Sequence, residues 1–153
     1  MNRQSNIDIK KFVDVFESLT RLQKQNQNLM GIKKSEALVL LNIKYLSQEK
    51  DCKITVSQIS KSLSIASPTA TELVKSLTDK GYLERHVNEN DKRIVEIIIT
   101  NNGKKKINEI SKYFDALFSG LVERLGKEQS ELLIELLGKV NIYFNEWYSK
   151  TNY

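Results

Sequence analysis

The chain has 153 residues, with 24 Lys and Arg against 19 Asp and Glu, one His, one Cys and one Pro. Its length suits a single domain, and its 40% hydrophobic residues supply a core, which excludes intrinsic disorder and a small disulfide-stabilised scaffold. The longest apolar run, residues 37–41, is far short of the roughly 20 residues that cross a bilayer; together with the charged N-terminus and the lone Cys52, it predicts a cytoplasmic protein without a membrane partner.

The first third of the chain predicts two amphipathic helices. Residues 8–28 form the first, because an apolar residue recurs every three or four positions among charged and amide-bearing residues. Gly31 is expected to end it. The second helix covers residues 34–47, with Ser35 placed to cap its start. The apolar stripe of the first helix is Phe12, Val15, Leu19 and Leu22, and the expected buried face of the second is Ala37, Leu38, Leu41 and Leu46.

The middle of the chain predicts two shorter helices in succession. Thr55 and Gln58 fit a capping box, in which the two side chains satisfy backbone amides at a helix start. Ser67 is expected to cap the next helix, with Pro68 at its first position and Gly81 at its end. The first of the two helices has a predicted buried stripe of Val56, Ile59 and Leu63.

Two strands and two long helices follow. Alternating apolar residues indicate strands over 82–87 and 94–99, joined by a polar turn over 88–91. A helical hairpin is then expected over 101–125 and 128–149, since apolar residues step by three and four through both segments. The predicted fold class is therefore mainly α with a small β-hairpin.

The helix over residues 67–80 has an outer face of small polar groups. Apolar residues at i, i+3, i+4 and i+7 predict its buried face, and they are Ala70, Leu73, Val74 and Leu77. A helix-turn-helix followed by a hairpin can place its second helix in the DNA major groove. Short hydroxyls near that helix start allow close approach to phosphates or bases. An ordinary solvated surface explains the same residues equally well.

Three segments in fixed order resemble the MarR-type winged-helix transcriptional regulators. They are SPTATELVKSLTDKGYLER over 67–85, NDKR over 90–93 and ITNNGKK over 99–105. They are similar to the family's recognition helix, to its wing motif and to the start of the helix that follows. The length and the flanking helices are similar too, so the resemblance covers essentially the whole chain. It implies a winged helix-turn-helix with N- and C-terminal dimerisation helices.

The resemblance implies a set of DNA contacts. On the recognition helix they are Ser67, Pro68, Thr69, Thr71, Glu72, Lys75 and Ser76, and on the wing they are Arg85, Asp91, Lys92 and Arg93. Asp91 lies two residues before Arg93, so its carboxylate can hold the guanidinium toward a narrow minor groove. An ordinary surface ion pair, worth roughly 0–1 kcal/mol, is the alternative. Lys92 stands where the family often has Arg, and Ile99 where it usually has Leu.

The resemblance also predicts the organisation of the chain. One MarR-like domain spans 1–153, with a DNA-binding core over 34–100 and dimerisation helices over 1–30 and 101–153. The apolar seams on these helices need a partner surface, which a homodimer supplies; the alternative is a larger bundle within one chain. The predicted interface residues are Phe12, Phe16, Leu19, Leu133, Leu136, Val140, Tyr143 and Trp147.

Few residues suggest a cofactor or a sensor. His86 is the single imidazole and Cys52 the single thiol, so neither a multi-His zinc site nor an internal dithiol switch can form within one chain. We expect no cofactor. A small apolar or phenolic effector, of the kind to which the family often responds, could bind among aromatic residues, although such residues are more often core. These are Tyr113, Phe114, Phe118, Tyr143, Phe144 and Trp147.

The predicted function is that of a DNA-binding transcriptional regulator, a repressor acting as a homodimer on palindromic promoter DNA in a bacterial cytoplasm. Residues 85–106 carry six cations against three anions, a local charge of +3 that favours DNA. A winged-helix protein-interaction module without DNA binding is the alternative. An enzyme is not expected, because no phosphate-binding loop, zinc-protease motif or nucleophile elbow occurs.

Overall fold

A computed structural model gives the fold and describes residues 8–25, 27–48, 54–88 and 91–151. The helices are α1 Ile9–Gln25, α2 Lys34–Leu46, α3 Val56–Leu63, α4 Ser67–Asp79, α5 Asn101–Leu125 and α6 Lys127–Lys150. The strands are β1 Asn28–Leu29, β2 Ile32–Lys33, β3 Leu83–Val87 and β4 Val95–Ile99. The mainly helical class with a small two-stranded wing is confirmed. The chain divides into two compact units, and the division falls within α5, between Ile110 and Ser111.

The first unit has a core built from α2, α3 and α4, which pack against one another. Apolar residues from these helices, from the wing strands and from the start of α5 are shielded from solvent. The most completely buried are Ala37, Val39, Leu40, Ile43, Ile59, Ala70, Val74, Leu77, Leu83 and Ile110. Burial of this apolar surface is the main favourable term that holds the three helices together.

A short hairpin that was not predicted from the sequence lies between α1 and α2. β1 and β2 pair antiparallel, with Leu29 opposite Ile32. Met30 and Gly31 form the turn, both at positive φ. The predicted end of the first helix at Gly31 was therefore wrong, because α1 stops at Gln25 and Gly31 supplies the left-handed conformation of a two-residue hairpin turn.

The buried face of α2 differs from the predicted one. Ala37 and Leu46 are buried as expected, Leu41 is half-buried, and Leu38 is exposed. Ser35 does not cap the helix, because Lys33 occupies the N-cap position. The helix is apolar on most of its circumference, so spacing alone did not identify the core face. That face carries Glu36, Ala37, Val39, Leu40, Ile43 and Leu46.

The capping box at the start of α3 is confirmed. The Thr55 amide donates to Gln58 Oε1 over 2.9 Å, and the Gln58 amide donates to Thr55 Oγ1 over 3.3 Å. Ile59 is buried, as predicted, while Val56 and Leu63 are half-buried. Both bonds satisfy backbone donors that have no partner within the helix, so they fix where α3 begins.

The predicted strands form a two-stranded antiparallel wing. Leu83 pairs with Ile99 and Val87 with Val95. Ile97 is buried, and its amide donates to the carbonyl oxygen of Ile54, just before α3, over 2.7 Å. This bond ties the edge of β4 to the helical core, so only the outer part of the wing projects from it.

The second unit contains the rest of α5 and α6. Both helices are present at the predicted positions, but the predicted hairpin is not packed, because their apolar side chains remain largely exposed. The exposed set in this unit is Leu117, Phe118, Leu121, Val122, Leu132, Leu133, Ile134, Leu136, Leu137, Ile142, Tyr143, Phe144, Trp147 and Tyr148. Across the described ranges of the chain, no helix is long and apolar enough to span a bilayer.

Candidate nucleic-acid interface

The outer face of α4 is open to solvent. Ala70, Val74 and Leu77 are buried beneath it, so the helix is anchored by one side only. Six of the residues predicted to contact DNA are exposed, and they are Ser67, Pro68, Thr69, Thr71, Glu72 and Lys75. A helix anchored in this way presents short polar side chains and one ammonium group to an approaching surface.

The start of α4 differs by one residue from the prediction. Ala66 is the N-cap, Ser67 is already the first helical residue and Pro68 is the second. The Ser67 hydroxyl does not cap the helix; it lies 3.4 Å from Ser60 Oγ. The Ser60 hydroxyl in turn donates to the carbonyl oxygen of Ile65 over 2.8 Å. Ser60 is itself buried, so this pair of contacts holds the tight turn between α3 and α4.

Ser76 does not belong to the exposed face. Its hydroxyl points into the unit and donates to Glu36 Oε1 over 2.7 Å. The prediction placed Ser76 at the edge of the outer face, whereas the structure uses its hydroxyl to hold α4 against α2.

Glu36 is a buried charged residue, with 1% of its surface exposed. Lys80 Nζ donates to both carboxylate oxygens over 2.7 Å, and the Lys33 amide donates to Oε2 over 2.9 Å. Burial alone raises the pKa of this carboxyl, but the hydrogen bonds from Lys80, Ser76 and Lys33 outweigh it and hold the pKa below its usual value. Glu36 is not among the site residues predicted from the sequence. The available signal was its position three residues after Lys33, where a Glu commonly caps a helix.

The wing carries its cations at the surface. Arg85 lies on β3, while Lys92 and Arg93 lie in the turn, and all three are exposed. Among the residues that the structure describes, none of these three makes an ion pair, so their charges stay available to a polyanion. In contrast, the neighbouring His86 lies 3.2 Å from the carboxylate of Glu84.

Asp91 shapes the wing turn and does not pair with the Arg93 guanidinium. Its Oδ1 accepts the backbone N–H of Arg93 over 3.0 Å, and its own N–H donates to Asn88 Oδ1 over 3.0 Å. The Ile94 amide donates to the Asp91 carbonyl oxygen over 2.9 Å. The predicted carboxylate–guanidinium contact was therefore wrong: a two-residue spacing in a turn favours the bond to the nearer backbone amide.

A close junction joins the end of α4 to the start of α5. Thr100 Oγ1 donates to the Gly81 carbonyl oxygen over 2.7 Å and accepts the Gly103 amide over 3.0 Å. A Cβ on Gly103 would lie 2.1 Å from the Tyr82 carbonyl oxygen, so a larger residue does not fit there. This contact gives a physical reason for the Thr-x-x-Gly part of the third segment, since it sets α5 directly on the chain leaving α4.

The predicted interface residues lie on exposed helix faces. In α1 they are Phe12, Phe16 and Leu19, and in α6 they are Leu133, Leu136, Tyr143 and Trp147, with Val140 half-buried. Their association with a second chain stays a prediction.

Of the aromatic residues expected to line a pocket, Phe114 and Phe118 border a groove on α5, where they are joined by Val122, Asp115 and Glu123. Cys52 lies outside the described residues, and the described residues include no cluster of metal-binding side chains.

Comparison with known proteins gives the same architecture. The model of the MarR family matches residues 38–95. The HTH-type transcriptional repressor YetL of Bacillus subtilis (strain 168) is 23% identical over 133 residues, which cover 82% of this chain and 78% of YetL. The S. aureus MepR-DNA complex has a TM-score of 0.74 at 24% identity, over 86% of this chain and 97% of that chain. S. aureus MepR bound to ethidium bromide has a TM-score of 0.52 at 23% identity, over 90% of this chain and 96% of that chain.

The matched region begins in α2 and reaches the first residue of β4, so it contains α3, α4 and the wing turn. The likeness to the solved structures establishes the winged-helix fold over most of the chain. Over residues 38–95 the chain is similar to the MarR family of transcriptional regulators, and it shares the winged-helix fold of the solved structures.

Proposed function

We propose that this chain regulates transcription by binding promoter DNA as a homodimer, with α4 as the recognition helix in the major groove. The wing then lies toward the minor groove and the neighbouring phosphates. One observation carries the proposal: the exposed polar face of α4 is accompanied in the same compact unit by the surface cations Arg85, Lys92 and Arg93, which form no ion pair with any residue that the structure describes. The solved complex of MepR with DNA supports the same use of this fold.

Charge and shape assign different roles to the two elements. The wing cations are guanidinium and ammonium groups that neutralise phosphate or enter a narrow minor groove, so they supply affinity with little sequence preference. The hydroxyls, Glu72 and Lys75 lie on the exposed face of the recognition helix, where polar side chains can reach base edges, so we assign sequence discrimination to them. The protein acts in the cytoplasm, where promoter DNA lies, and by occupying DNA rather than by catalysis.

The exposed apolar faces support the homodimer. Seven apolar residues of α1 are at least 36% exposed, and they are Ile9, Phe12, Val13, Val15, Phe16, Leu19 and Leu22. Leaving so much apolar surface in water is unfavourable, so a second copy of the chain is the natural cover. A two-fold dimer presents two recognition helices to half-sites about 34–36 Å apart, which predicts a palindromic operator. We propose that the protein represses transcription by occupying such a site in a promoter.

A small apolar effector is the proposed signal. The groove on α5 has aromatic walls from Phe114 and Phe118, and Asp115 and Glu123 also line it. Aromatic walls suit a flat apolar ring. The solved structure of MepR with ethidium bromide supports this class of ligand.

The decisive test is an anisotropy titration of the protein with promoter DNA that flanks its own gene. We expect salt-sensitive binding that survives excess nonspecific competitor. Arg93→Ala should weaken binding about tenfold and lower the salt slope by about one, and Lys75→Ala should weaken it about tenfold with loss of sequence preference.

Lys139→Ala is the matched control, because it removes a cation from α6 that is already paired with Glu135. Its affinity should equal that of the unchanged protein. Equal affinity in all three variants would overturn the assigned surface. No competitor-resistant binding by the unchanged protein would overturn DNA regulation itself and favour a protein-interaction module.

A further inference from the structure

The last turn of α4 is fixed by a buried carboxylate from another helix. Glu36 lies in the first turn of α2, and Ser76 and Lys80 lie at the end of α4, forty and forty-four positions later. Each of these two residues donates to the carboxylate over 2.7 Å. Lys80 is also the C-cap of α4, and its own amide donates to the carbonyl oxygen of Ser76. The side-chain and backbone contacts therefore meet at one helix end.

These contacts restrain α4 in a way that its apolar contacts do not. Burial of Ala70, Val74 and Leu77 is non-directional, so it tolerates small rotations and shifts of the helix. Hydrogen bonds depend on distance and angle, and those made by a buried carboxylate are strong. The carboxylate therefore sets the rotation of α4 about its axis, which is the variable that decides where the outer face points.

We propose that Glu36 is a positioning residue for DNA recognition: through Ser76 and Lys80 it sets the angle at which α4 presents its outer face. This inference rests on the proposed function. Glu36 is 1% exposed, so DNA cannot reach its side chain and any effect on recognition must pass through α4. The positioning requirement is strict, because a binding constellation must be held to within about 0.5 Å of its productive geometry.

Long-range electrostatics and a positioning role predict opposite effects of Glu36→Gln on DNA binding. Glu36→Gln removes a negative charge and releases the ammonium of Lys80, which is already 38% exposed in its side chain. The variant is more positive, and long-range attraction alone would tighten its binding to DNA. A positioning role predicts weaker binding. The direction of the change therefore separates the two explanations.

The experiment compares Glu36→Gln with Glu109→Gln in the full-length protein, by anisotropy titration with promoter DNA at a temperature where both are fully folded by circular dichroism. Glu109 is the matched control, since it also pairs with a lysine, Lys106 at 2.6 Å, but on α5. We expect Glu36→Gln to weaken binding about tenfold and Glu109→Gln to leave it unchanged. Unchanged or tighter binding by Glu36→Gln overturns the proposal.

Glu36→Asp keeps the charge and shortens the side chain, so it separates geometry from charge and serves if the Gln variant does not fold. It too should weaken DNA binding. Hydrogen exchange should speed up over residues 76–82 in both Glu36 variants and stay unchanged over α3. Normal exchange there, or normal affinity of Glu36→Asp, also overturns the proposal. Absence of DNA binding by the unchanged protein overturns the proposed function. The hydrogen-exchange result, in contrast, reports only on the contacts of Glu36 with Ser76 and Lys80.

Discussion

The two halves of α5 carry similar apolar repeats and have different surroundings. In the first half Gly103, Ile107 and Ile110 are buried within the first unit. In the second half Leu117, Phe118, Leu121 and Val122 are exposed. The spacing of apolar residues is thus the same where the chain covers them and where it does not. Periodicity identifies a face to be buried, but it does not say which surface buries it.

Introducing a carboxylate into each half of α5 tests this difference in burial and gives the largest expected effects. Ile110→Glu puts a carboxylate into a fully buried position, and we expect it to lower the free energy of unfolding by about 4 kcal/mol or more. Leu121→Glu puts the same group at a position where the Leu side chain is 41% exposed in the single chain. It should leave the first unit folded and weaken self-association about a hundredfold or more.

Urea denaturation measures the first effect and sedimentation velocity the second. Glu123→Gln, on the same exposed half of α5, is the control that should keep normal association. A dimer that survives Leu121→Glu would show that this half of α5 is not part of the interface. Normal stability of Ile110→Glu would contradict the buried position of that side chain.

The glycines of α5 give a second and smaller contrast. A Cβ on Gly103 would lie 2.1 Å from the Tyr82 carbonyl oxygen, whereas a Cβ on Gly120 meets nothing within 4 Å. Gly103→Ala should therefore cost about 1–3 kcal/mol by overpacking. Gly120→Ala should stabilise the helix by about 0.5–1 kcal/mol, because Ala loses less backbone entropy than Gly. Thermal unfolding of both variants checks the pair, and equal shifts in Tm would contradict the close junction.

The sequence was sufficient where one local interaction decides the structure. Thr55 and Gln58 predicted the start of α3 because a capping box is complete within four residues. The wing strands were likewise predicted from alternation and a polar turn, and the family resemblance came from contiguous segments. These features need no information about distant parts of the chain.

The sequence was insufficient where the deciding contact is remote or where two local bonds compete. Nothing near Glu36 shows that Ser76 and Lys80 will reach it from α4, so both the buried carboxylate and the inward turn of Ser76 were missed. Asp91 had two acceptable donors, and the nearer backbone amide of Arg93 prevailed over its guanidinium. The face of α2 was misjudged for a third reason, since a helix that is apolar nearly all round has no single stripe to find.

Acid should weaken the first unit through its buried carboxylate. The folded pKa of Glu36 lies below its usual value, so its stabilising contribution is present above the ordinary Glu pKa of about 4.3 and is lost as pH falls through the lower folded value. Lys80 is the charged group that faces it. We expect Glu36→Gln to lower the free energy of unfolding by about 1–2 kcal/mol at neutral pH. The stability of this variant should then fall less steeply toward acid pH, because the titrating carboxylate is absent. Urea denaturation midpoints measured from neutral to acid pH check this. An equally steep loss of stability in the variant and the unchanged protein would contradict it.

The smallest effect belongs to the ion pair at the start of α5, where the carboxylate is more than half exposed. The hydrogen bond from Lys106 to Glu109 raises the Lys106 pKa, with burial acting against it and Tyr82 and the charge of Glu109 adding to it. This contribution is present below the ordinary Lys pKa of about 10.4 and is lost as pH rises through the higher folded value. Glu109→Gln should cost no more than about 0.5 kcal/mol at neutral pH, because solvent screens an exposed partner. Urea denaturation midpoints at neutral and alkaline pH check both points. Lys106 Nζ also donates to the Met30 carbonyl oxygen in the β1–β2 turn over 3.2 Å. A larger cost at neutral pH would mean that Glu109 helps Lys106 to hold that turn.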